Sequence, residues 1–361
     1  MRLAVLDVGS NSAHLRVVDA DAGWPPLPVL RFKAPTRLAE AVNADGELRE
    51  DGVERLVKAV VKAVRIAKRH AVAELIPLAT ATIRDAANAD LVRQRVRQAA
   101  GVDLVSLSGE EEARLTFLAI RRWLGWSAGP VLMLDIGGAS MEIAWGGGEN
   151  PELAISLPLG AGRLTRQLLP RHPARNREIK AVQRRVREML GPLTERLMWD
   201  GPPVCAVGTS KTFKQLARLV GAPSWRRSPT LRRRIDRDDL VEWVPRLAAM
   251  TPDERAELPG VAASRARQLL AGAVTAATVM RTLELDHVDV CPWALREGIL
   301  LRRIDELTNA EQQHEADVIS IAAAGSGGPP LATKTRTRTA VAGVADRPRV
   351  PRGAAGDRRN R

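Results

Sequence analysis

Apolar residues occur along this chain in two patterns, as short continuous runs and at helical spacing. Short runs predict strands at 2–6, 13–18, 29–33, 75–79, 104–107, 131–134 and 204–207. Apolar residues three and four positions apart predict helices at 53–69, 85–100, 109–123, 176–198, 212–220, 238–250, 265–283 and 295–306. Strands that alternate with helices are typical of α/β architecture, which is the fold class we expect.

Two stretches of the chain share one pattern. Residues 3–18 read LAVLDVGSNSAHLRVV and residues 131–146 read VLMLDIGGASMEIAWG. In each, an apolar strand ends at an Asp, and Gly and two small residues separate it from a second strand. Asp7 and Asp135 lie 128 positions apart, and Gly9 and Gly137 keep the same offset. Because this offset exceeds the period of solenoid repeats, the echo predicts two homologous domains that each open with the same β-hairpin.

The turn after each Asp has the composition of a phosphate-binding loop. Consecutive backbone N–H groups in a tight turn bind phosphate oxygens, and a neighbouring carboxylate can hold Mg²⁺. We therefore predict phosphate contacts from Gly9, Ser10, Asn11 and Ser12 and from Gly137, Gly138, Ala139 and Ser140. An Asp-x-Gly sequence is also common in ordinary turns, but its repetition at a constant offset favours phosphate binding.

Three consecutive glutamates open the helix predicted at 109–123. Ser108 and Glu111 have the spacing of a capping box, so Glu111 is expected to be structural and Glu110 to lie on the surface. Helical spacing puts Glu112 on the apolar face with Leu115. A carboxylate there is costly unless it lines a cleft, and desolvation raises its pKa toward the range of a general base. Glu112 is therefore a candidate base, with a buried structural acid as the alternative.

A third loop follows the strand predicted at 204–207. Gly208, Thr209 and Ser210 open the next helix, whose free N–H groups form an anion site. Lys211 adds positive charge to the first turn of that helix. The alternative is an ordinary helix cap at Thr209 or Ser210, and the sequence leaves both interpretations open.

Composition narrows the class of protein. The chain has 361 residues, of which 45% are apolar and 27% charged, a globular balance with enough length for two domains. Two Cys exclude a disulfide scaffold and a Cys-rich zinc module. Because Tyr is absent and Phe numbers 3, the stacking platforms of single-strand binders are scarce. Specific nucleic-acid recognition is therefore not expected.

The positive charge is concentrated near the end of the sequence. Of the formal net charge of +13, about +7 falls within residues 331–361, and we expect a basic, disordered tail over 307–361. The tail is either a solubilising extension or an arm that attracts polyanions. Asp7 interrupts the apolar N-terminal run, which argues against a secretory signal, and no run is long enough to span a bilayer. We expect a cytoplasmic protein without a membrane partner.

Taken in order and spacing, the motifs resemble the exopolyphosphatase/guanosine pentaphosphate phosphohydrolase (Ppx/GppA) family. The resemblance covers about residues 1–306. It rests on DVGSNSAHL (7–15), ATATIRDAAN (79–88), SGEEEARLTFLA (108–119), LDIGGASMEI (134–143), SLPLGAGRLT (156–165), AVGTSKTFKQL (206–216) and ALREGIL (294–300). The set is closest to the short actinobacterial-type members, so the helical phosphohydrolase domain of longer relatives and its His-Asp metal site are not expected.

The resemblance implies a fold and a set of roles. It implies two actin-like (ribonuclease H-like, ASKHA superfamily) domains, 1–124 and 125–306, with an interdomain cleft. It implies that Glu112 is the catalytic glutamate and that Arg84, which is otherwise an ordinary surface helix residue, clamps the terminal phosphate. It also implies Mg²⁺ as cofactor, with Mn²⁺ as the other candidate, at Asp135 with Asp7 and Glu142 nearby.

The implied activity is hydrolysis of the terminal phosphoanhydride of linear inorganic polyphosphate, with release of orthophosphate. Three alternatives stay open: a 5′-phosphohydrolase of guanosine pentaphosphate, a small-molecule kinase or ATPase, and a non-catalytic polyphosphate-binding protein. Family members often dimerise, so a homodimer is expected by analogy. One departure is DIGGAS where the family has DIGGGS, which puts Ala139 at the third glycine. Ala there either strains a left-handed backbone or narrows the site.

Overall fold

A computed structural model describes residues 1–325 except 22, 198–204 and 226–230, and it has the predicted α/β architecture. Its strands are β1 Arg2–Val8, β2 Ser12–Asp19, β3 Pro28–Pro35, β4 Glu74–Ala79, β5 Val105–Ser106, β6 Val131–Ile136, β7 Met141–Gly146, β8 Leu153–Leu157, β9 Cys205–Thr209, β10 Arg234–Asp236 and β11 His287–Val290. Its helices are α1 Leu38–Ala41, α2 Glu50–Arg69, α3 Ala81–Arg84, α4 Ala89–Ala100, α5 Gly109–Leu124, α6 Ala161–Leu168, α7 Asn176–Leu197, α8 Ser210–Leu219, α9 Arg237–Ala249, α10 Pro252–Ala256, α11 Ala263–Thr282 and α12 Leu295–Gly325.

The repeated sequence pattern is a repeat of topology. The strands form two sheets in the orders β3-β2-β1-β4-β5 and β8-β7-β6-β9-β11-β10. In both, the hairpin of the repeat is extended by a third antiparallel strand on one side and by two parallel strands on the other. The second sheet adds β10, which pairs antiparallel with β11 at its edge. Asp7 pairs with His14 in the first hairpin, and Asp135 pairs with Glu142 in the second. The prediction that each half opens with the same β-hairpin is confirmed.

Two helices lie between the sheets and cross the predicted division of the chain. Phe117 of α5, which belongs to the first half of the sequence, packs on the second sheet beside Met133. Leu300 of α12, which follows the second sheet, packs on the first sheet beside Val5. Met1–Ala310 accordingly forms one compact unit. The domains proposed at 1–124 and 125–306 each contain one sheet, but their boundary stays a prediction.

The crossing of α12 over α5 depends on Gly298. A Cβ atom built on Gly298 would lie 1.8 Å from the carbonyl oxygen of Leu115. No side chain fits at that distance, so glycine permits the two helix backbones to touch. The contact fixes the position of α5 one turn from Glu112.

Two element boundaries differ from the sequence prediction by four residues or more. The helix predicted at 85–100 begins at Ala89, and the side-chain amide of Asn88 just before it is bonded to the loop that precedes α2. Asn88 Nδ2 donates to the carbonyl of Leu48, and the Leu48 N–H donates to Asn88 Oδ1, both at 2.9 Å. The last helix continues to Gly325 instead of ending at residue 306, so the first part of the predicted tail is helical. Residues 326–361 lie outside the described residues.

None of the helices in the described part of the chain combines the length and the apolar composition that a membrane span requires.

Candidate active site

The two turns of the repeat have the same backbone hydrogen bond. In the first, the Gly9 N–H donates to the Ser12 carbonyl at 3.1 Å. In the second, the Gly137 N–H donates to the Ser140 carbonyl at 2.9 Å. The register of the sequence repeat therefore extends to the geometry of the turns, called loop 1 (residues 9–12) and loop 2 (residues 137–140) below.

The two loops face each other and touch. A Cβ atom built on Gly138 would lie 2.4 Å from Ser10 Oγ and 3.2 Å from Ser10 Cβ. Loop 2 could not approach loop 1 so closely with a side chain at this position. The predicted phosphate-binding loops are thus brought together, although 128 residues separate them in the sequence.

The carbonyl groups of Ser10 and Asn11 in loop 1 are bonded to the protein, which leaves amide groups for a ligand. The Ser10 carbonyl accepts from the Ala39 N–H at 2.9 Å, and the Asn11 carbonyl accepts from the Thr36 N–H at 3.0 Å. The N–H groups of Ser10 and Asn11 have no protein acceptor in the described part of the chain. Free amides beside bonded carbonyls form an anion-binding nest.

Loop 2 repeats this arrangement with different partners. The Ala161 N–H donates to the Gly137 carbonyl, and the N–H and Nε of Arg163 donate to the carbonyls of Gly138 and Ala139, all at 2.9 Å. Among the residues that the structure describes, nothing accepts from the N–H groups of Gly138 and Ala139. Both loops therefore present amides and withhold carbonyls, which suits a phosphate ligand.

The alanine in loop 2 does not strain the backbone. The non-glycine residues with left-handed φ, among those described, are Arg37, Ala71, Ser210 and Glu284. Ala139 is not one of them, so alanine at this position does not strain a left-handed backbone. What the methyl group changes is the space beside the loop.

Four carboxylates gather beside the loops, on strand and helix ends that the topology brings together. They are Asp7 at the end of β1, Glu112 on α5, Asp135 on β6 and Glu142 on β7. Burial is the largest cause that raises the pKa of Asp135 to about 6 and that of Glu142 to about 7, and the charge of Asp135 contributes to the rise at Glu142. Like charges in a dry site disfavour ionisation, so this cluster is poised to bind a cation or a proton.

Glu112 is buried, as its helical position predicts, and it is paired with Arg84. Its side chain accepts from Arg84 Nη1 at 2.8 Å. The pKa of Glu112 is raised to about 9, first by burial and then by the charge of Glu142, while the Arg84 guanidinium opposes both effects. The capping box of Ser108 and Glu111 is present, which confirms the structural role of Glu111.

Arg84 is held at three points and is not a free surface residue. Nη1 also donates to the Leu107 carbonyl at 2.8 Å, and Nε donates to Asp85 Oδ1 at 2.9 Å. Nη2 has no acceptor among the described residues. The guanidinium thus has a fixed orientation and a remaining donor edge.

The third predicted loop also reaches the carboxylates. Ser210 has a left-handed φ of 72°, and its hydroxyl lowers the pKa of Asp135 against the larger effect of burial. Thr209 does not cap α8, because its hydroxyl donates to the Trp293 carbonyl at 2.6 Å. Gly208 packs under Phe213, 2.5 Å from where its Cβ would stand. A helix cap at Thr209 therefore does not explain this motif. Ser210 does not cap α8 either, since it is the first residue of that helix.

Several basic residues at the site had no predicted role. Arg296 Nη1 lies 3.3 Å from Asp7 Oδ2, and Arg265 acts on both Asp7 and Asp135. Lys33 pairs in register with His14, whose Nε2 lies 2.8 Å from Ser12 Oγ. Arg296 lies in the ALREGIL segment, one of the motifs that carry the family resemblance, so the sequence contained a signal for it. Lys33 and Arg265 lie outside every motif.

Asp7 differs from the other predicted metal ligands because the protein supplies it with a cation, Arg296. Within the described residues, no three His, Cys, Asp or Glu side chains converge closely enough to hold a metal by themselves. Mg²⁺ needs no such cage, since it keeps several waters and binds one or two carboxylates together with phosphate oxygens. Asp135 and Glu142, which form no ion pair among the described residues, fit that mode.

The sequence of this chain is similar to known proteins over most of its length. The model of the Ppx/GppA phosphatase family matches residues 16–307. Exopolyphosphatase 1 of Mycobacterium tuberculosis is 44% identical over 339 residues, which cover 94% of this chain and 98% of the relative. Exopolyphosphatase 1 of Mycobacterium leprae is 45% identical over 305 residues, 84% of this chain and 90% of the relative.

Solved structures show the same fold. An exopolyphosphatase from Cytophaga hutchinsonii superposes with a TM-score of 0.77 at 23% identity, over 85% of this chain and 98% of the other. A Ppx/GppA family member from Aquifex aeolicus gives a TM-score of 0.71 at 25% identity, over the same shares. These neighbours have two actin-like domains, so the predicted fold class is confirmed. The chain belongs to the Ppx/GppA phosphatase family.

Proposed function

We propose that this protein is an exopolyphosphatase that removes orthophosphate from the end of linear inorganic polyphosphate at the junction of loops 1 and 2. The observation that carries the proposal is the contact between Ser10 and Gly138. Because of this contact, the free amides of loops 1 and 2 border one space beside Glu112 and Arg84. A chain of phosphoryl groups is the ligand that needs anion contacts on both sides. The hydrolase activity follows from the family.

Arg84 binds the terminal phosphoryl group through its free Nη2 edge. A guanidinium matches the geometry of phosphate oxygens and adds charge where negative charge develops in the transition state. Because Nε and Nη1 are tied to protein oxygens, the donor edge is aimed before substrate arrives. Preorganisation of this kind costs no reorientation during the reaction.

Glu112 accepts a proton from the attacking water. The water oxygen forms a bond to the terminal phosphorus, the bridging phosphorus–oxygen bond breaks, and the shortened polyphosphate keeps the bridging oxygen. A general base acts best with a pKa near the working pH. Burial raises the pKa of Glu112 to about 9 even though Arg84 opposes it, so further positive charge at the site would lower that pKa toward neutrality.

Enzymes of this family generally depend on a divalent metal ion. Asp135 and Glu142 would hold it, with Ser156 Oγ fixing Glu142 Oε1 at 2.9 Å. When bound, the ion supplies positive charge to the phosphate oxygens. Mg²⁺ is our proposal, with Mn²⁺ as the alternative.

The remaining basic residues bind phosphates further along the chain. Lys33, Lys211 and Arg265 come from three different elements, and none of them has an ion-pair partner among the described residues. Burial is the largest cause that lowers the pKa of Lys211, and the positive charges of Arg265 and Lys33 are the next causes. Both residues therefore lie close enough to Lys211 to repel its ammonium group. A polyanion relieves that repulsion.

The experiment is orthophosphate release from polyphosphates of defined length, run beside guanosine pentaphosphate and ATP, each with Mg²⁺ and with EDTA. We expect release from polyphosphate that requires Mg²⁺. Release from guanosine pentaphosphate alone would support the 5′-phosphohydrolase alternative, and binding without release would support the non-catalytic one. The cytoplasmic location and the homodimer stay predictions.

A further inference from the structure

Asp85 connects the catalytic arginine to loop 2. Its Oδ1 accepts from Arg84 Nε at 2.9 Å, and its Oδ2 lies 3.6 Å from Arg163 Nη2. Arg163 in turn donates through Nε to the Ala139 carbonyl at 2.9 Å. One carboxylate therefore contacts two guanidinium groups, one beside Glu112 and one beside the second phosphate loop.

Asp85, Arg84 and Arg163 line one wall of a cavity of about 550 Å³. Ser140 of loop 2 and Ser156, which holds Glu142, line the same cavity. The cavity is thus continuous with the site, and the orientation of Arg84 at its wall bears directly on the phosphate that the site receives.

We propose that Asp85 is a positioning residue that aims the Arg84 guanidinium at the terminal phosphoryl group. Of the three contacts that orient this side chain, the Leu107 carbonyl and Asp85 fix the plane of the guanidinium, and Glu112 is itself a reactant. Without Asp85, Nε loses its acceptor and the group can turn about Nη1. This role rests on the proposed function.

A merely structural role predicts a different result. The side chains of Arg84 and Asp85 are 23% and 44% exposed, and ion pairs with this exposure contribute little to stability. Loss of Asp85 should therefore leave the unfolding midpoint nearly unchanged. A displacement of about 1 Å at a reacting group can, by contrast, lower the rate on the order of 100-fold.

The test is a double-mutant cycle on the full-length protein with polyphosphate and Mg²⁺. Asp85→Ala should lower kcat roughly 10- to 100-fold with a smaller change in KM. Asp85→Asn, which keeps an oxygen for Arg84 Nε, should lose less. Arg84→Lys removes the fork, so adding Asp85→Ala to it should change kcat by less than about twofold, because the two residues act as one unit.

The matched control is Asp90→Ala, since Asp90 forms a comparable ion pair with Arg93 on the adjacent helix. It should leave kcat unchanged. Multiplicative effects of Asp85→Ala and Arg84→Lys, or a kcat of Asp85→Ala within twofold of the wild type, would overturn the positioning role while leaving the proposed function in place. A wild-type protein that releases no orthophosphate would overturn both.

Discussion

Ser10 Oγ and Gly138 stand against each other across the two halves of the repeat, with no room for a Cβ atom on Gly138. The contact joins two hairpin turns that have the same internal hydrogen bond and that both present free amides. A ligand with anionic groups along its length can therefore be held from two sides. The tight contact also makes the position of each loop dependent on the other.

Gly138→Ala tests this dependence. The added methyl group would meet Ser10, so loop 2 must move away from loop 1, and kcat/KM should fall at least about 10-fold. Since the atoms nearest the added carbon among the described residues belong to Ser10, Ser10→Gly in the same protein should restore part of the loss. Steady-state kinetics of the three variants give the answer. A double variant worse than both single variants would show that the loops are not coupled through this contact.

Glu112→Gln tests the general base. The amide keeps the size of the side chain but cannot accept the proton from water, so kcat should fall on the order of 10²–10⁴-fold. Glu54→Gln is the control, since Glu54 pairs with Lys58 on the exposed face of α2 and does not line the cavity beside Arg84. Equal turnover in Glu112→Gln and wild type would reject the assignment and leave the phosphate-loop interpretation intact.

Asp135→Asn tests the metal ligand. Removal of one buried carboxylate should raise the Mg²⁺ concentration that gives half-maximal activity about 10- to 100-fold. Isothermal titration of the two proteins with Mg²⁺ in the presence of a non-hydrolysed polyphosphate analogue provides a readout besides turnover. Asp289→Asn, at an ion pair with Arg234, is the control. Identical metal titrations of Asp135→Asn and wild type would count against the role.

Glu142 should make stability depend on pH. Its pKa is about 7 in the folded protein against an ordinary value of 4.5, so the folded state holds the proton over this interval and the unfolded state does not. The free energy of unfolding should therefore fall as pH rises from 4.5 to 7, by an amount on the order of 3 kcal/mol at most.

Urea unfolding in EDTA between pH 5 and 8 measures this fall, and Glu142→Gln should show a shallower one. Added Mg²⁺ should flatten the wild-type curve, since a cation stabilises the ionised carboxylates. Parallel curves for the variant and the wild type would exclude Glu142 as the source.

Gly298→Ala tests the crossing of α12 and α5, which fixes the position of α5 one turn from Glu112. The methyl group would stand 1.8 Å from the Leu115 carbonyl, so the helices must separate at a cost of roughly 1–3 kcal/mol or more. Gly191→Ala, in open space within α7, should instead stabilise by up to about 1 kcal/mol. Thermal unfolding and kcat of both variants are the measurements. A neutral Gly298→Ala would mean that the crossing is adjustable.

Much of the site follows from local pattern. The spacing of Asp7 and Asp135 predicts two equivalent hairpins, and the pairing of Ser108 with Glu111 predicts the start of α5. The apolar face of that helix predicts the burial of Glu112. Each of these depends on residues close in sequence, whose relative geometry is set by the regular backbone of a strand, turn or helix.

Only the tertiary structure decided which distant groups meet. Arg84 reaches Glu112 across 28 residues, and Arg296 reaches Asp7 across 289. No local pattern in the sequence predicts that α5 packs on the second sheet and α12 on the first. No local pattern predicts that Lys33 and Arg265 lie at the site either. Contacts of this kind depend on how whole elements pack, which is governed by the complementary shapes of their buried faces rather than by spacing along the chain.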